Sequence, residues 1–308
     1  MRRHGRFFQQ DILTHCYQRT QDGGLIFYAY SDYLVWFTVL CTEARKRDVQ
    51  ILALCPMPDH VHLSVTASSQ EQFSGFMGEY SRRFSRARNQ ALGLSGELFQ
   101  HSFGSAVKTG AKKARTNLIY VGNNPVERQL ASQAEQYRWT FLAYASSDHP
   151  FSEKLVLRRA SRALQGAIRE VSAQFKMGKP LSYMLLRRLF SPLSNEERQQ
   201  LTDFIIVTYN VIDYDAALRY FDNSLENMLT AMHSTTGSEY DLNEPFCGKS
   251  DLPYLKMNTL IRQHLQLDDI HEILRFNDDE KLNAFRLLRR QGHFDPRQIA
   301  KFLHLEKW

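Results

Sequence analysis

The order of predicted elements indicates an α+β protein: a ferredoxin-like antiparallel sheet with helices, followed by an all-α C-terminal domain. In the first half, alternating and apolar runs mark strands between amphipathic helices, in the order β-α-β-β-α-β with one further helix. After about residue 153, no strand pattern is longer than five residues. Because 308 residues suit two domains, we assign residues 1–146 and 151–308 to them, with a linker near 145–150.

The individual elements follow from periodicity, caps and breakers. Those of the first domain are a strand at 11–19, a helix over 33–47 capped by Ser31 or Asp32, strands at 49–55 and 60–66, a helix over 73–84, a strand at 98–108 and a helix over 112–123 that Pro125 ends. The helices of the second domain are 155–175, 181–190, 195–209, 216–221, 225–233, 255–265, 270–276, 280–291 and 296–303. The last two form a candidate helix-turn-helix at 280–304.

Charge is unevenly distributed along the chain. The formal net charge is +6; residues 151–190 hold nine basic and two acidic residues, whereas residues 191–280 hold six and seventeen. Basic blocks favour a polyanion partner, nucleic acid first, although ordinary solvated helix faces give the same pattern. The four cysteines have no CxxC spacing, and no signal peptide or membrane-spanning segment is evident. We therefore expect a cytoplasmic protein without a disulfide scaffold.

Two histidines share one face of the predicted strand 60–66. His60 and His62 are two residues apart, so their side chains project from the same face, and both imidazoles can reach one ion. The opposite face of the strand is apolar. A bare pair of this kind is also found as two structural histidines, but the proline-bounded turn before it and the clean alternation favour a site.

A tyrosine lies on the polar face of the predicted helix 112–123. Lys113, Asn117, Tyr120 and Asn124 recur at helical spacing, opposite a packing face of Ala114, Leu118 and Val121. A core tyrosine usually lies on an apolar stripe, as Tyr80 does among Phe and Met residues. This pattern makes Tyr120 a candidate functional residue, with a structural role as the alternative.

These segments resemble the single-tyrosine HUH transposases, in particular the REP-associated tyrosine transposase branch. The similarity is carried by PMPDHVHL at 56–63 and YVGNNPV at 120–126, with HCYQR at 15–19, FQHSF at 99–103 and YRWT at 137–140 in support. It spans about residues 8–144 in the expected order. The ferredoxin-like fold of that family agrees with the element order predicted above.

The resemblance implies a site and a reaction. His60 and His62 would bind a divalent cation, Mg²⁺ or Mn²⁺, with Asn124 as a polar third ligand, and Tyr120 would be the nucleophile. The implied reaction is cleavage of single-stranded or hairpin DNA, leaving a 5′-phosphotyrosine link and a free 3′-OH, and a homodimer is a candidate assembly. Because Mg²⁺ prefers oxygen ligands, we expect Mn²⁺ to bind more readily in vitro.

Basic residues in two helices are candidates for contacts with the DNA backbone. They are Arg82, Arg83, Arg86, Lys112, Lys113 and Arg115. One alternative is a catalytically silent nucleic-acid-binding protein on the same scaffold. Another is a hydrolase that uses water, which usually needs a carboxylate ligand; Asp59 is adjacent, but strand alternation is expected to point it away from the histidines.

Overall fold

The first half of the chain forms a four-stranded sheet with three helices. This computed structural model describes residues 7–100, 103–234 and 250–305. The elements are β1 Thr14–Arg19, α1 Tyr30–Arg47, β2 Gln50–Met57, β3 His60–Thr66, α2 Gln70–Leu92, β4 Gly104–Val107 and α3 Ala111–Glu127. The strand order is β2-β3-β1-β4, and each neighbouring pair is antiparallel. The predicted ferredoxin-like sheet is confirmed.

The two faces of the sheet differ in chemistry. Tyr17 of β1 pairs in register with His62 of β3, and alternation places His15 on the same face. Gln18 points to the opposite face, where its amide donates to the Ser81 hydroxyl of α2 at 2.9 Å. Helix α1 packs beside α2. These two helices therefore cover one face, and the histidine face is left for α3.

Helices α1 and α3 have boundaries that differ from those predicted, and α2 extends beyond its predicted range at both ends. Helix α1 starts after Ala29, and Asp32 in its first turn accepts hydrogen bonds from the backbone amides of Tyr28 (2.7 Å) and Ala29 (2.9 Å). Helix α3 continues through Pro125 to Glu127 instead of ending before it. A proline removes only one backbone donor, and the Arg128 amide still donates to the Asn124 carbonyl at 3.0 Å.

The fourth strand is shorter than predicted. It covers Gly104–Val107, and the residues before it contribute only an isolated bridge between Thr20 and Phe99. Residues 101 and 102 of the predicted strand 98–108 lie outside the described residues. Gly104 lets the Tyr17 ring of the paired strand β1 lie over its backbone, because a Cβ at this position would be 2.0 Å from that ring.

The second half is helical, as predicted. Its helices are α4 Arg162–Lys176, α5 Tyr183–Phe190, α6 Asn195–Tyr209, α7 Tyr214–Leu218, α8 Leu225–Ser234, α9 Leu252–Leu265, α10 Asp278–Gly292 and α11 Pro296–Phe302. Helix α4 begins later than predicted because Ser161 caps it, accepting from the Leu164 amide at 3.1 Å. None of the helices in the described ranges is long and apolar enough to cross a membrane.

The apolar cores of the two halves are continuous. One core cluster runs from Leu13 to Met232 and joins the sheet to α4–α8, and a second combines Leu25 and Tyr28 with residues of α9–α11. Helices α5 and α6 pack on α1, whereas α8 packs on α3. The division at residues 146 and 151 stays a prediction. DNA reading by 280–304 also stays a prediction. There α10 and α11 are joined by a three-residue turn, and three of the seven residues of α11 are buried.

A buried charge cluster ties the C-terminal helices to α1. The Asp32 carboxylate is fully buried and accepts hydrogen bonds from the Tyr183 hydroxyl at 2.8 Å and from His271 Nε2 at 2.9 Å. His271 Nδ1 lies 2.6 Å from Asp269. Burial alone would lower the pKa of His271, but the Asp32 charge and the hydrogen bonds that the ring donates to both carboxylates raise that pKa to about 10. His271 is therefore an imidazolium held between two carboxylates.

We expect this cluster to make the stability of the protein fall as the pH rises above neutral. An unfolded histidine has a pKa of about 6.5, so the contribution of His271 is complete below that pH and is lost as pH rises towards about 10. His271→Gln should remove that part of the pH dependence. The melting temperature of both proteins between pH 6 and pH 10 measures the effect.

The matched control is His233→Gln, because His233 is paired with Glu135 at a more exposed position. It should keep the pH dependence of the parent. Parallel curves for the parent and His271→Gln would show that the charge on His271 does not stabilise the fold.

Candidate active site

Helix α3 lies against strand β3 and brings the predicted tyrosine to the predicted histidines. The Ser64 hydroxyl donates to Asn117 Oδ1 at 2.7 Å. Three residues further along the helix, the Tyr120 ring meets the His62 ring edge-on, with centroids 5.3 Å apart. The contacts thus move along β3 towards His60 as the helix proceeds. The next turn of α3, which carries Asn124, continues in that direction.

The two predicted ligands are adjacent and perpendicular. The His60 and His62 ring centroids are 4.7 Å apart at an interplanar angle of 89°. His60 Nδ1 lies 2.5 Å from the Asp59 carboxylate, and His62 Nδ1 lies 3.0 Å from Nε2 of His15. Both rings are therefore held through Nδ1, and Nε2 is the nitrogen left for another role.

The environment keeps His62 and His15 neutral. Burial, followed by the charges of His60, His15 and Arg19, holds the pKa of His62 well below its usual range. Burial, together with Lys108 and His60, lowers the pKa of His15 to about 3. A neutral imidazole is the form that binds a metal ion. His62 is therefore in the charge state that a metal ligand requires.

One carboxylate contact contradicts the sequence argument. Asp59 lies in the turn before β3, so strand alternation does not apply to it, and its carboxylate contacts His60. The other carboxylate oxygen forms an ion pair with Lys301 of α11. Burial would raise the pKa of Asp59, but the charges of His60 and Lys301 and their hydrogen bonds hold it well below its ordinary value. The expectation that Asp59 points away from the histidines is wrong.

A second acidic residue, which belongs to the C-terminal half, lies within the electrostatic influence of Asp59. Asp251 precedes α9, and its carboxylate lies 3.6 Å from the Arg128 guanidinium. Its Oδ2 is buried with no hydrogen-bond partner in the part of the chain that the structure describes. Burial and the charge of Asp59 raise the pKa of Asp251 to about 6.

The residues present fit a divalent ion held by two imidazoles and an amide. His62 Nε2 is buried and has no hydrogen-bond partner among the described residues, so this ring nitrogen is available to a ligand. The Asn124 amide nitrogen donates to the Tyr120 carbonyl at 2.8 Å, which leaves Oδ1 as its acceptor. Within the described ranges, no group of three or more His, Cys, Asp or Glu side chains is arranged to hold a metal.

The structure does not bring the six predicted DNA contacts together. Arg82 pairs with Glu79, and Arg83 pairs with Glu43, both on the α1–α2 side of the sheet. Arg86 lines a groove of about 810 Å³ beside α2. Lys112, Lys113 and Arg115 are exposed in the first turns of α3, the helix of Tyr120, and Arg115 lies over the Phe221 ring at 5.0 Å.

Four residues to which the sequence argument gave no role in the site hold it in place: His15, Asp59, Ser64 and Lys301. The only sequence signal for His15 is the alternation of side chains along β1. That signal has a meaning only when the register between β1 and β3 is known. Lys301 gave no signal, because it lies 242 positions from Asp59.

Comparison with known proteins points to one family. The model of the IS200-like transposases matches residues 32–124. A solved structure described as a REP-associated tyrosine transposase bound to a REP hairpin is similar with 18% identity and a TM-score of 0.40, covering 46% of this chain and 82% of that chain. No curated protein matches the chain. The segment that carries both histidines, Tyr120 and Asn124 is therefore the part of the chain that is similar to the IS200-like transposases.

Proposed function

We propose that this protein is a metal-dependent nuclease and strand transferase of single-stranded or hairpin DNA, with Tyr120 as its nucleophile. The observation that carries the proposal is the contact between Tyr120 and the neutral His62, beside His60, within the segment that matches the IS200-like transposases. A tyrosine hydroxyl beside a candidate metal site suits phosphodiester attack, because the reaction needs both a nucleophile and charge neutralisation.

The proposed reaction exchanges one phosphodiester for another. The Tyr120 oxygen, losing its proton, forms a bond to the DNA phosphorus. The bond from phosphorus to the 3′-oxygen breaks, and that oxygen takes up a proton to give a free 3′-OH. The downstream strand is left joined to Tyr120 through its 5′-phosphate. Attack by a 3′-OH on this link reverses the step, so strands can be rejoined without an external energy source.

The residues around Tyr120 have separable tasks in this proposal. His60, His62 and Asn124 would hold Mg²⁺ or Mn²⁺, which supplies a positive charge that neutralises the phosphate oxygens. Lys112 and Lys113 precede Tyr120 on the same helix and would contact the backbone of the DNA strand. Tyr120 is only 9% exposed. Most of its ring is therefore covered by neighbouring residues.

The alternative is a DNA-binding protein that performs no chemistry. Such a protein would have the same fold and the same basic residues, so a DNA-binding measurement alone does not distinguish the two functions. A covalent protein–DNA product does. A homodimer also stays a prediction.

Tyr120→Phe should abolish the covalent product and keep DNA binding. The substitution removes one hydroxyl from an otherwise identical ring, and we expect it to change the unfolding free energy by no more than about 1 kcal/mol. Hairpin-bearing single strands labelled at either end are incubated with Mn²⁺ and separated under denaturing conditions. The 3′-end label should move with the parent protein, and the 5′-end label should not.

The control is Tyr80→Phe, which removes a hydroxyl that contacts Gln18 on the other side of the sheet. It should keep the adduct. An adduct at the parent level in Tyr120→Phe would assign the nucleophile to another residue, and no adduct in the parent would favour the silent DNA-binding protein.

His60→Gln and His62→Gln should each lose Mn²⁺ binding and Mn²⁺-dependent cleavage. The rings are buried, at 3% and 1% exposure, so glutamine is used to retain volume and hydrogen bonding. Calorimetric titration with Mn²⁺ and melting temperatures without metal separate the two effects. If the parent does not bind Mn²⁺, or if both variants melt far below the parent, the histidines are structural.

Lys112→Gln combined with Lys113→Gln should weaken the salt dependence of single-strand binding. Each phosphate contact to a single strand contributes a slope of about 0.7 to the plot of log affinity against log salt, so losing two lowers it by about 1.4. Arg82→Gln combined with Arg86→Gln on α2 is the control. If only the α2 pair changes the slope, the DNA backbone follows the α1–α2 side of the sheet.

A further inference from the structure

His15 lies behind the candidate metal ligand His62. It occupies the central strand β1, next to β3, and is 2% exposed. Its Nε2 lies 3.0 Å from His62 Nδ1, the two rings are stacked with centroids 5.2 Å apart, and the Tyr120 ring meets His15 edge-on at 5.6 Å. The rings of His62 and Tyr120 therefore both contact His15.

The hydrogen bond between the two rings is compatible with two proton arrangements. A neutral imidazole carries one N–H and one lone pair. If His62 Nδ1 donates to His15, then His62 Nε2 holds a lone pair and can bind a cation. If His15 Nε2 donates instead, the proton of His62 lies on Nε2, and that nitrogen cannot be a ligand. The ring behind His62 thus decides whether His62 is a ligand.

We propose that His15 is a positioning residue: by accepting a hydrogen bond from His62 Nδ1, it fixes His62 in the tautomer and orientation that present Nε2 to a divalent cation. This inference rests on the proposed function of the site. The arrangement matches the role of Asp59 towards His60, since each candidate ligand is held through Nδ1 by a buried neighbour. Outer groups of this kind orient metal ligands and set their affinity.

The geometry favours this role over direct metal binding by His15. Its Nε2 is directed at His62 Nδ1, so that nitrogen is occupied by the neighbouring ring. His15 therefore acts on the cation through His62.

The first test reads the tautomer of His62 in the full-length protein without metal. Nitrogen-15 labelling of histidine, with His62→Gln to assign its signals, shows which ring nitrogen carries the proton. We expect the proton on Nδ1 in the parent and on Nε2, or exchanging between the two, in His15→Leu. A parent His62 protonated on Nε2 would overturn the proposal, whatever the variants do.

The second test is Mn²⁺ affinity by calorimetry. His15→Leu removes the acceptor and should lower affinity by about 10- to 100-fold, the usual effect of removing such an outer group. His15→Gln places an amide oxygen near the position of Nε2 and should restore most of it. Cys16→Ala, the next residue of β1, changes the buried opposite face and should leave Mn²⁺ affinity unchanged.

The outcomes separate this proposal from the proposed function. No Mn²⁺ binding by the parent contradicts the metal site itself and, with it, the role of His15. Binding by the parent that is equal in His15→Leu contradicts only the role of His15. Equal losses in His15→Gln and His15→Leu would show that the imidazole itself is needed, as for a direct ligand, and would also overturn the proposal.

Discussion

The candidate site depends on how one helix lies along one strand. Helix α3 meets β3 through Asn117 and Ser64 and, one turn later, through Tyr120 and His62. A helix advances 1.5 Å per residue and a strand about 3.3 Å. Three or four residues of helix therefore span about the same length as two residues of strand, and the polar positions of both elements stay aligned over several turns. A shift of one residue in the pairing register of β3 would turn the side chains of both histidines to the face of the sheet that α2 covers.

Within this alignment, the candidate site is a buried pair of imidazoles supported from behind. Burial holds the pKa of His62 low, and the support comes from His15 on β1 and from Asp59 in the turn before β3. Asp59 in turn reaches Lys301 near the end of the described chain. The C-terminal helices therefore take part in holding a candidate ligand, although the family similarity covers only residues 32–124.

The sequence predicted the residues whose chemistry follows from local periodicity. Alternation placed His60 and His62 on one face, and helical spacing placed Asn117 and Tyr120 on another, and the structure brings these faces together. It could not predict His15, whose role depends on the register between β1 and β3, or Lys301, which meets Asp59 only through tertiary packing.

The errors in the element boundaries have the same origin. Asp32 looked like a cap, but α1 begins at Tyr30, three residues earlier than predicted, and Asp32 also serves a buried cluster with Tyr183 and His271. Pro125 looked like the end of α3, but the packing of that helix continues past it. Local rules describe what a residue favours by itself, and long-range contacts decided both cases.

Charge along the sequence was an incomplete guide to a DNA-binding surface for a related reason. Several basic residues serve internal packing: Arg138 is buried against Asp203, and Arg45 lies over the Phe175 ring at 4.2 Å. The basic block 151–190 includes α4 and α5, and α5 packs on α1 and α2, on the side of the sheet away from Tyr120. A DNA strand held at Tyr120 would first meet the lysines at the start of α3. The net charge of a segment therefore says less about DNA contacts than the face on which its free cations lie.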